Sequence, residues 1–322
     1  MDNLLTTENL SVDFETDQGI VHAVRNISFD VKKGEILGIV GESGSGKSVT
    51  MYSIMGLLGD TAHIHCDSML FDGTDINPAS YPGKKAYSAV MKRLCGSSMA
   101  MIFQDPMTFL NPTMKIGKQL CEPILNHTSM TKQQARQRAL ELMSLVGIPS
   151  PETRIDQYPF EFSGGMRQRI IIAIALANNP KLLLADEPTG AVDSATANMI
   201  LDIFREVCRT TGLTIMIVTH DISLSRRVDR VVAIRDGRTS SEFIRRKSYA
   251  QQINEVGELE QMNQEPEELE AQEELAVVDN AGRLQIPREY LGAIGVSGKS
   301  RVRVELEDDK VVIINPDYRS GT

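Results

Sequence analysis

The chain has 322 residues, 41% of them hydrophobic, 24% charged and 5% aromatic, with a formal net charge of -9. That length suits one large domain with an appendage, and the apolar share suffices for a sizeable core. The acidic balance excludes a protein built mainly to grip nucleic acid or an anionic membrane surface.

The start, MDNLLTTENLSVDF, lacks a basic n-region and an apolar h-region, so no secretory signal is expected. The longest apolar run, Ile170 to Ala177, falls far short of the roughly 20 residues a membrane helix requires. A membrane role would therefore place the chain on the cytoplasmic face, held there by a partner. Cys66, Cys95, Cys121 and Cys208 have no paired CxxC spacing and read as reduced thiols of a cytosolic protein.

In chain order, strand-like and helix-like stretches alternate over the first 240 residues, which predicts an α/β domain. Glu35 to Val40 is a short apolar run fit for a buried strand. The glycine-rich turn Gly41-Glu42-Ser43-Gly44-Ser45-Gly46-Lys47-Ser48 follows, and a helix is predicted from Lys47 to about Leu58. Thr131 to Val146 opens with T-x-x-Q, a capping-box pattern, and carries Ala139, Leu140, Met143 and Val146 at helical spacing. A helical run from Met166 to Asn178 precedes two more apolar strands, Leu182 to Ala185 and Thr214 to Val218. Asp236-Gly237 marks a turn near the end of the domain, placed at residue 239.

Residues 240–274 hold ten Glu against three basic residues and read as a charged linker or a solvated helix broken near Pro266. The tail, 275–322, carries a β-hairpin signal: alternation over Arg301 to Leu306, a turn at Asp308-Asp309, and the apolar run Val311 to Ile314. So short a module rarely buries enough surface to fold alone, and it is expected to dock or dimerise.

The turn at Gly41 to Ser48 matches G-x-x-x-x-G-K-[ST] between a strand and a helix. Its glycines let backbone N–H groups turn toward phosphates, and the helix N-terminus adds a favourable dipole. Lys47 is placed to reach the β- and γ-phosphates, and the Ser48 hydroxyl to ligate Mg²⁺. Lys181 to Ala185 is a strand ending in Asp186-Glu187. The first carboxylate is placed to hold Mg²⁺, directly or through water, and the second to orient an attacking water.

With Phe162-Ser163-Gly164-Gly165-Met166-Arg167-Gln168 lying between these two sites, the chain resembles the ABC transporter ATPases over about residues 4–238. The segment is a variant of that family's LSGGQ signature, which caps the γ-phosphate held by the other subunit of a dimer. Ser163 and two glycines opening a helix suit a second anion-binding N-terminus. The resemblance implies ATP and Mg²⁺ as cofactors, a P-loop fold with a helical subdomain, and transmembrane permease subunits and a second ATPase as partners. It assigns Gln104, in Phe103-Gln104-Asp105-Pro106, to the loop that touches Mg²⁺ and relays nucleotide state. Asp193 matches the segment that crosses the dimer interface, and His220 the switch histidine at the γ-phosphate. Phe14 either stacks on adenine or is a core-strand residue.

Two branches of the family compete. The segments 38–48, 102–112 and 162–169 look like the di/oligopeptide and nickel importer ATPases, for which an extracellular substrate-binding protein would be a further partner. The segments 186–196 and 231–238 are similar to the lipoprotein-releasing and macrolide-exporter group. In the tail, Val278 to Pro287 with Leu291 and Gly295 resembles the swapped-hairpin AbrB/MazE-type domain. Arg283, Arg288, Lys299, Arg301, Arg303, Lys310 and Arg319 stand against Asp279, Glu289, Glu305, Glu307, Asp308, Asp309 and Asp317, seven against seven. A neutral module gains little from counterion release, so a dimerisation or regulatory clamp is expected rather than a DNA-binding regulator.

Overall fold

The computed structural model describes residues 2–104, 109–190, 192–221, 224, 227–244, 273–276, 286, 288–294, 296, 302–307 and 310–314. Two sheets form its frame. The first is antiparallel, built from β1 (Asn3–Thr16), β2 (Gly19–Lys32), β4 (Ala62–His65), β5 (Ser68–Phe71) and β6 (Thr74–Asp75), with β1 pairing β2, β4 and β5. The second has the order β12-β11-β10-β3-β9-β8-β7. Its strands are β3 (Ile36–Val40), β7 (Met99–Ile102), β8 (Leu182–Asp186), β9 (Thr214–Thr219), β10 (Arg230–Arg235), β11 (Arg238–Ile244) and β12 (Glu273–Ala276). The five strands from β10 to β7 in that order run parallel, while β11 and β12 join antiparallel.

The parallel strands read as unbroken apolar runs because both faces are covered. Alternate residues part into two cores: Ile36, Leu183, Ala185, Ile215 and Ile217 into one, Leu37, Ile39, Leu182, Leu184, Met216 and Val218 into the other. Helices cover the first face: α3 (Ile116–His127), α4 (Lys132–Leu145), α6 (Gly164–Ala175) and α7 (Ser194–Thr211) supply Leu120, Ala139, Ile172 and Phe204. The second face packs on α1 (Lys47–Ile54), α2 (Lys84–Leu94) and the antiparallel sheet, through Met51, Ile54, Met91, Val12 and Ile27. The short helix α5 (Pro151–Arg154) leads toward α6. No described helix is long and apolar enough to cross a membrane.

The predicted capping box is present: the Thr131 hydroxyl accepts from the Gln134 N–H, and the Gln134 side chain accepts from the Thr131 N–H. Two helices differ from expectation. The first ends at Ile54 rather than near Leu58, because Gly56 turns the chain at φ 64 against Tyr87. The signature helix runs Gly164–Ala175 rather than Met166 to Asn178. Ser163 caps it two residues earlier, and Asn179, at φ 49 before Pro180, turns the chain away.

The boundary expected at 239 falls inside β11, which pairs with β10 as far as Ile244. Charge counting hid the alternation Thr239, Ser241, Phe243 that makes this stretch a strand. The far end of the acidic stretch also pairs, Glu273 to Ala276 lying along Ile244 to Ser241. The rest of the predicted linker lies outside the described residues, as does most of the Val278 to Pro287 motif. In the tail the structure contains α8 (Arg288–Ala293) and a hairpin of β13 (Arg303–Glu307) and β14 (Lys310–Ile314), with Glu307 opposite Lys310. The predicted turn at Asp308-Asp309 lies outside the described residues.

All four cysteines are free. Burial pushes the Cys208 thiol up to about 12, with Asp229 and Glu35 adding to the effect, and that of Cys66 up to about 11. At pH 8 both are expected to react with iodoacetamide roughly 100-fold more slowly in the native protein than in denaturant. Peptide mapping of timed alkylation checks this; equal rates would contradict the burial.

Candidate functional site

The parallel register carries the sequence-predicted groups to one edge of the sheet. Pairing of Val40 with Thr219, of Asp186 with Val218 and of Ile102 with Ala185 aligns the C-terminal ends of β3, β9, β8 and β7. The phosphate-loop residues follow the first of these ends, His220 the second, Glu187 the third and Gln104 the fourth. In open parallel sheets such an edge is where ligands bind.

The loop from Gly41 to Ser48 is shaped by contacts that exclude side chains. A Cβ on Gly41 would lie 2.1 Å from the Ile234 carbonyl oxygen, and one on Gly46, at φ 98, 2.4 Å from that of Ala23. Gly44, at φ 78, faces open space. Ser43 is exposed, whereas the buried Ser45 hydroxyl has no hydrogen-bond partner among the described residues. The Lys47 ammonium is buried and donates to the carbonyls of Gly41 and Glu42, both at 2.8 Å. Desolvation lowers its pKa, against the attraction of Glu187 and Asp186.

Asp186 is fully buried at 0% exposure. The Ser48 hydroxyl donates to its Oδ1 at 2.9 Å and the Tyr52 hydroxyl to its Oδ2 at 3.0 Å. Desolvation raises the Asp186 pKa, opposed by those two hydrogen bonds. Tyr52 is held strongly protonated, at about 12, by burial and by the neighbouring carboxylate. Nothing in the sequence pattern pointed to Tyr52, although its spacing of four from Ser48 puts both on one helical face.

Glu187 is clamped from three sides. Its Oε1 accepts from the His220 backbone N–H at 3.0 Å and meets the His220 Nδ1 at 2.9 Å, and its Oε2 accepts from the Thr219 hydroxyl at 3.2 Å. The residue sits at φ 48, a left-handed conformation that a glutamate rarely adopts, at some cost. Its backbone N–H donates to Val218, and Gln168 holds the next residue by donating to the Pro188 carbonyl at 2.8 Å. Thr219 and Gln168 were also missed. A Thr directly before His220 was the available signal for the first, whereas only the fold brings the second to Pro188.

The signature segment stands apart, at the start of α6. The Ser163 hydroxyl accepts from the Met166 N–H at 3.3 Å. Gly164 has open space around it, but a Cβ on Gly165 would meet the Thr196 side chain at 2.8 Å. Asp193 caps α7, accepting from the Thr196 N–H at 2.9 Å and its hydroxyl at 2.8 Å, and these bonds lower its pKa. The signature and Asp193 are therefore neighbours within one chain. Gln104 is exposed beyond β7, next to Phe103, whose ring stacks on Phe109 at 4.4 Å; Asp105 and Pro106 lie outside the described residues. Phe14 is half-buried on β1, paired with Val21 and Ala62 and packed against the second core.

A glycine-lined loop with a buried lysine, facing a buried aspartate beside a fixed glutamate, defines a P-loop nucleotide-binding protein. Residues 24–190 match the ABC transporter family. The chain is 43% identical over 265 residues to the oligopeptide transport ATP-binding protein OppD of Bacillus subtilis, covering 82% of this chain and 68% of that one. It is 45% identical over 253 residues to the dipeptide transport ATP-binding protein DppD of the same organism, covering 78% and 73%. Among solved structures, a dimeric bacterial ABC transporter cassette aligns with TM-score 0.66 at 28% identity, over 76% of this chain and 100% of the other. A dimeric post-hydrolysis cassette bound to ADP and Pi aligns with TM-score 0.65 at 27% identity, over 76% and 100%. The chain belongs to the ABC transporter family as an ATP-binding, ATP-hydrolysing cassette.

The residues fit that family's Mg-ATP. The Ser45 hydroxyl, without a partner among the described residues, and the Lys47 ammonium, turned back on loop carbonyls, are donors suited to phosphate oxygens. Ser48 and Asp186 form the hard oxygen set that Mg²⁺ takes from a protein that leaves further positions to phosphate and water. Gly41→Ala forces the loop off the Ile234 carbonyl, at about 1–3 kcal/mol of strain, and is expected to weaken ATP binding about tenfold or more. Isothermal titration calorimetry checks this; unchanged affinity would contradict the loop geometry.

Proposed function

We propose that this chain is the ATPase of a peptide-type importer. The observation that carries the reading is the 43–45% identity to oligopeptide and dipeptide transport ATP-binding proteins over most of the chain. It supports peptide import over the exporter-like alternative, and over a DNA-binding regulator. The chain then works on the cytoplasmic face of the membrane, with transmembrane permease subunits and a second ATPase subunit. An extracellular substrate-binding protein delivers the peptide.

In this reading Gly41, Ser43, Gly44 and Gly46 shape the cradle, Lys47 binds the β- and γ-phosphates, and Phe14 contacts adenine. Ser48, Asp186 and Gln104 hold the cation. When bound, Mg²⁺ neutralises charge on the β- and γ-phosphates. Glu187 orients and polarises the attacking water, and its triple clamp keeps the carboxylate aimed while bonds are exchanged. His220 shares that carboxylate and is the group this reading assigns to the γ-phosphate. Ser163, Gly164 and Gly165 offer a helix N-terminus to the nucleotide of the second subunit. Asp193, through Thr196, couples that segment to the dimer interface. The C-terminal module, with its balanced charge, serves as a dimerisation or regulatory clamp.

Glu187→Gln is expected to lose roughly 10²–10⁴-fold in turnover while keeping ATP affinity. Steady-state phosphate release with parallel nucleotide-binding measurements checks both, and normal turnover would remove Glu187 from its role. Lys47→Ala should instead weaken ATP binding itself by about tenfold or more. Unchanged affinity by the same binding measurement would count against the phosphate-loop assignment.

A further inference from the structure

Gln168, on α6, is a buried amide for which the proposed chemistry has no use. Its side chain is in a residue only 1% exposed, and Nε2 donates to the Pro188 carbonyl at 2.8 Å. Its Oε1 is buried with no hydrogen-bond partner among the described residues. A carbonyl can be met only by the NH₂ end of the amide, so the group cannot turn over to place that oxygen elsewhere. Burying an unmatched acceptor costs free energy. A methionine has a similar shape without that cost, so packing alone does not account for a glutamine here.

The bond falls where the chain is strained. Glu187, at φ 48, precedes Pro188, and a residue before proline is driven toward extended conformations. A left-handed glutamate in that place persists only where its surroundings over-determine it. The Thr219 hydroxyl and the His220 backbone N–H hold its carboxylate, and its own N–H donates to the Val218 carbonyl. The Gly190 N–H donates to the Glu187 carbonyl at 3.0 Å, closing a turn over 187–190. Gln168 fixes the second residue of that turn to another element. That element is the helix which the signature opens: Gln168 lies one turn beyond Gly164, around which there is open space. A shift of α6 is thereby carried to the peptide next to Glu187.

We infer that Gln168 is a positioning residue that keeps Glu187 in its left-handed conformation, and so ties the aim of its carboxylate to the signature helix. Losing the bond frees the Pro188 carbonyl and lets Glu187 relax toward the extended conformations favoured before proline. The carboxylate then leaves Thr219 and His220, whereas the phosphate cradle on the loop before α1 keeps its shape. Gln168 thus acts on turnover through Glu187 alone. The inference rests on the reading of Glu187 as the group that orients the attacking water, and its test separates the two.

Turnover of the full-length protein is measured by phosphate release, and ATP affinity by calorimetry. Gln168→Met keeps the length of the side chain and removes the donor. It is expected to lower kcat about tenfold, the scale of one hydrogen bond lost from the aim of a reacting group. ATP affinity and the melting curve should stay at their wild-type values. An unchanged kcat overturns the inference, as does a loss of ATP affinity in a protein that melts like wild type. In the Glu187→Gln background the carboxylate is already gone, so adding Gln168→Met should change the residual turnover by no more than about twofold. A further loss of about tenfold there would show that Gln168 acts by another route, and would overturn the inference. Normal turnover in Glu187→Gln by itself would instead remove the underlying reading. Gln168→Glu supplies the rescue. It has the shape of the wild-type side chain, and its neutral acid can donate to the Pro188 carbonyl whereas its carboxylate cannot. Burial favours the neutral acid, so its kcat should approach wild type at about pH 6 and fall wherever the acid ionises. A kcat at that pH no higher than that of Gln168→Met overturns the inference. Should Gln168→Met fail to fold, a Gln168→Glu kcat about tenfold below wild type at that pH overturns it in the same way.

Discussion

A carboxylate with no exposed surface, Asp186, ends strand β8, and the rest of the site is arranged around the cost of keeping it there. A charge removed from water persists only with close partners. The two hydroxyls of α1 and the nearby Lys47 supply them. The same helix therefore carries the phosphate loop at its start and the support of the carboxylate along one face. Because β3 and β8 are separated only by β9 in a parallel sheet, that helix and that strand end cannot drift apart. Burial on both faces of these strands fixes their register, since a one-residue slip would exchange the two cores.

The adjacent Glu187 shows what the frame supports. A left-handed glutamate is held by Thr219 and His220 at the end of β9, while Gln168 of α6 holds the residue that follows. Strain of this kind persists only where surroundings over-determine it, and it concentrates at functional positions. The link from α6 to Pro188, and that from Gly165 to Thr196, tie the helical layer to the catalytic edge within one chain. In the proposed dimer these are the contacts through which one nucleotide site would register the state of the other.

Much of this was legible in the sequence because it is carried by local rules. The apolar runs at Ile36, Leu182 and Thr214 named the buried strands, and the glycines named the loop whose backbone approaches Ile234 and Ala23 so closely. Thr131 and Gln134 named a helix start to the residue. What stayed hidden depends on contacts between distant segments. Tyr52 reads as one more residue of a helix until β8 is placed beside it, and Asp193 reads as an interface residue although it also caps α7. The strand beyond residue 239 was masked by its own charge, since Glu242 and its neighbours suggested solvent where an added sheet edge lies.

The most direct measurement is a crystal structure of the Glu187→Gln protein with Mg-ATP. The account predicts that the Lys47 ammonium leaves the carbonyls of Gly41 and Glu42 for the phosphate oxygens. Ser48 should leave Asp186 for the cation, with Tyr52 still on Oδ2. A nucleotide bound elsewhere, with Lys47 and Ser48 keeping their present partners, would contradict it.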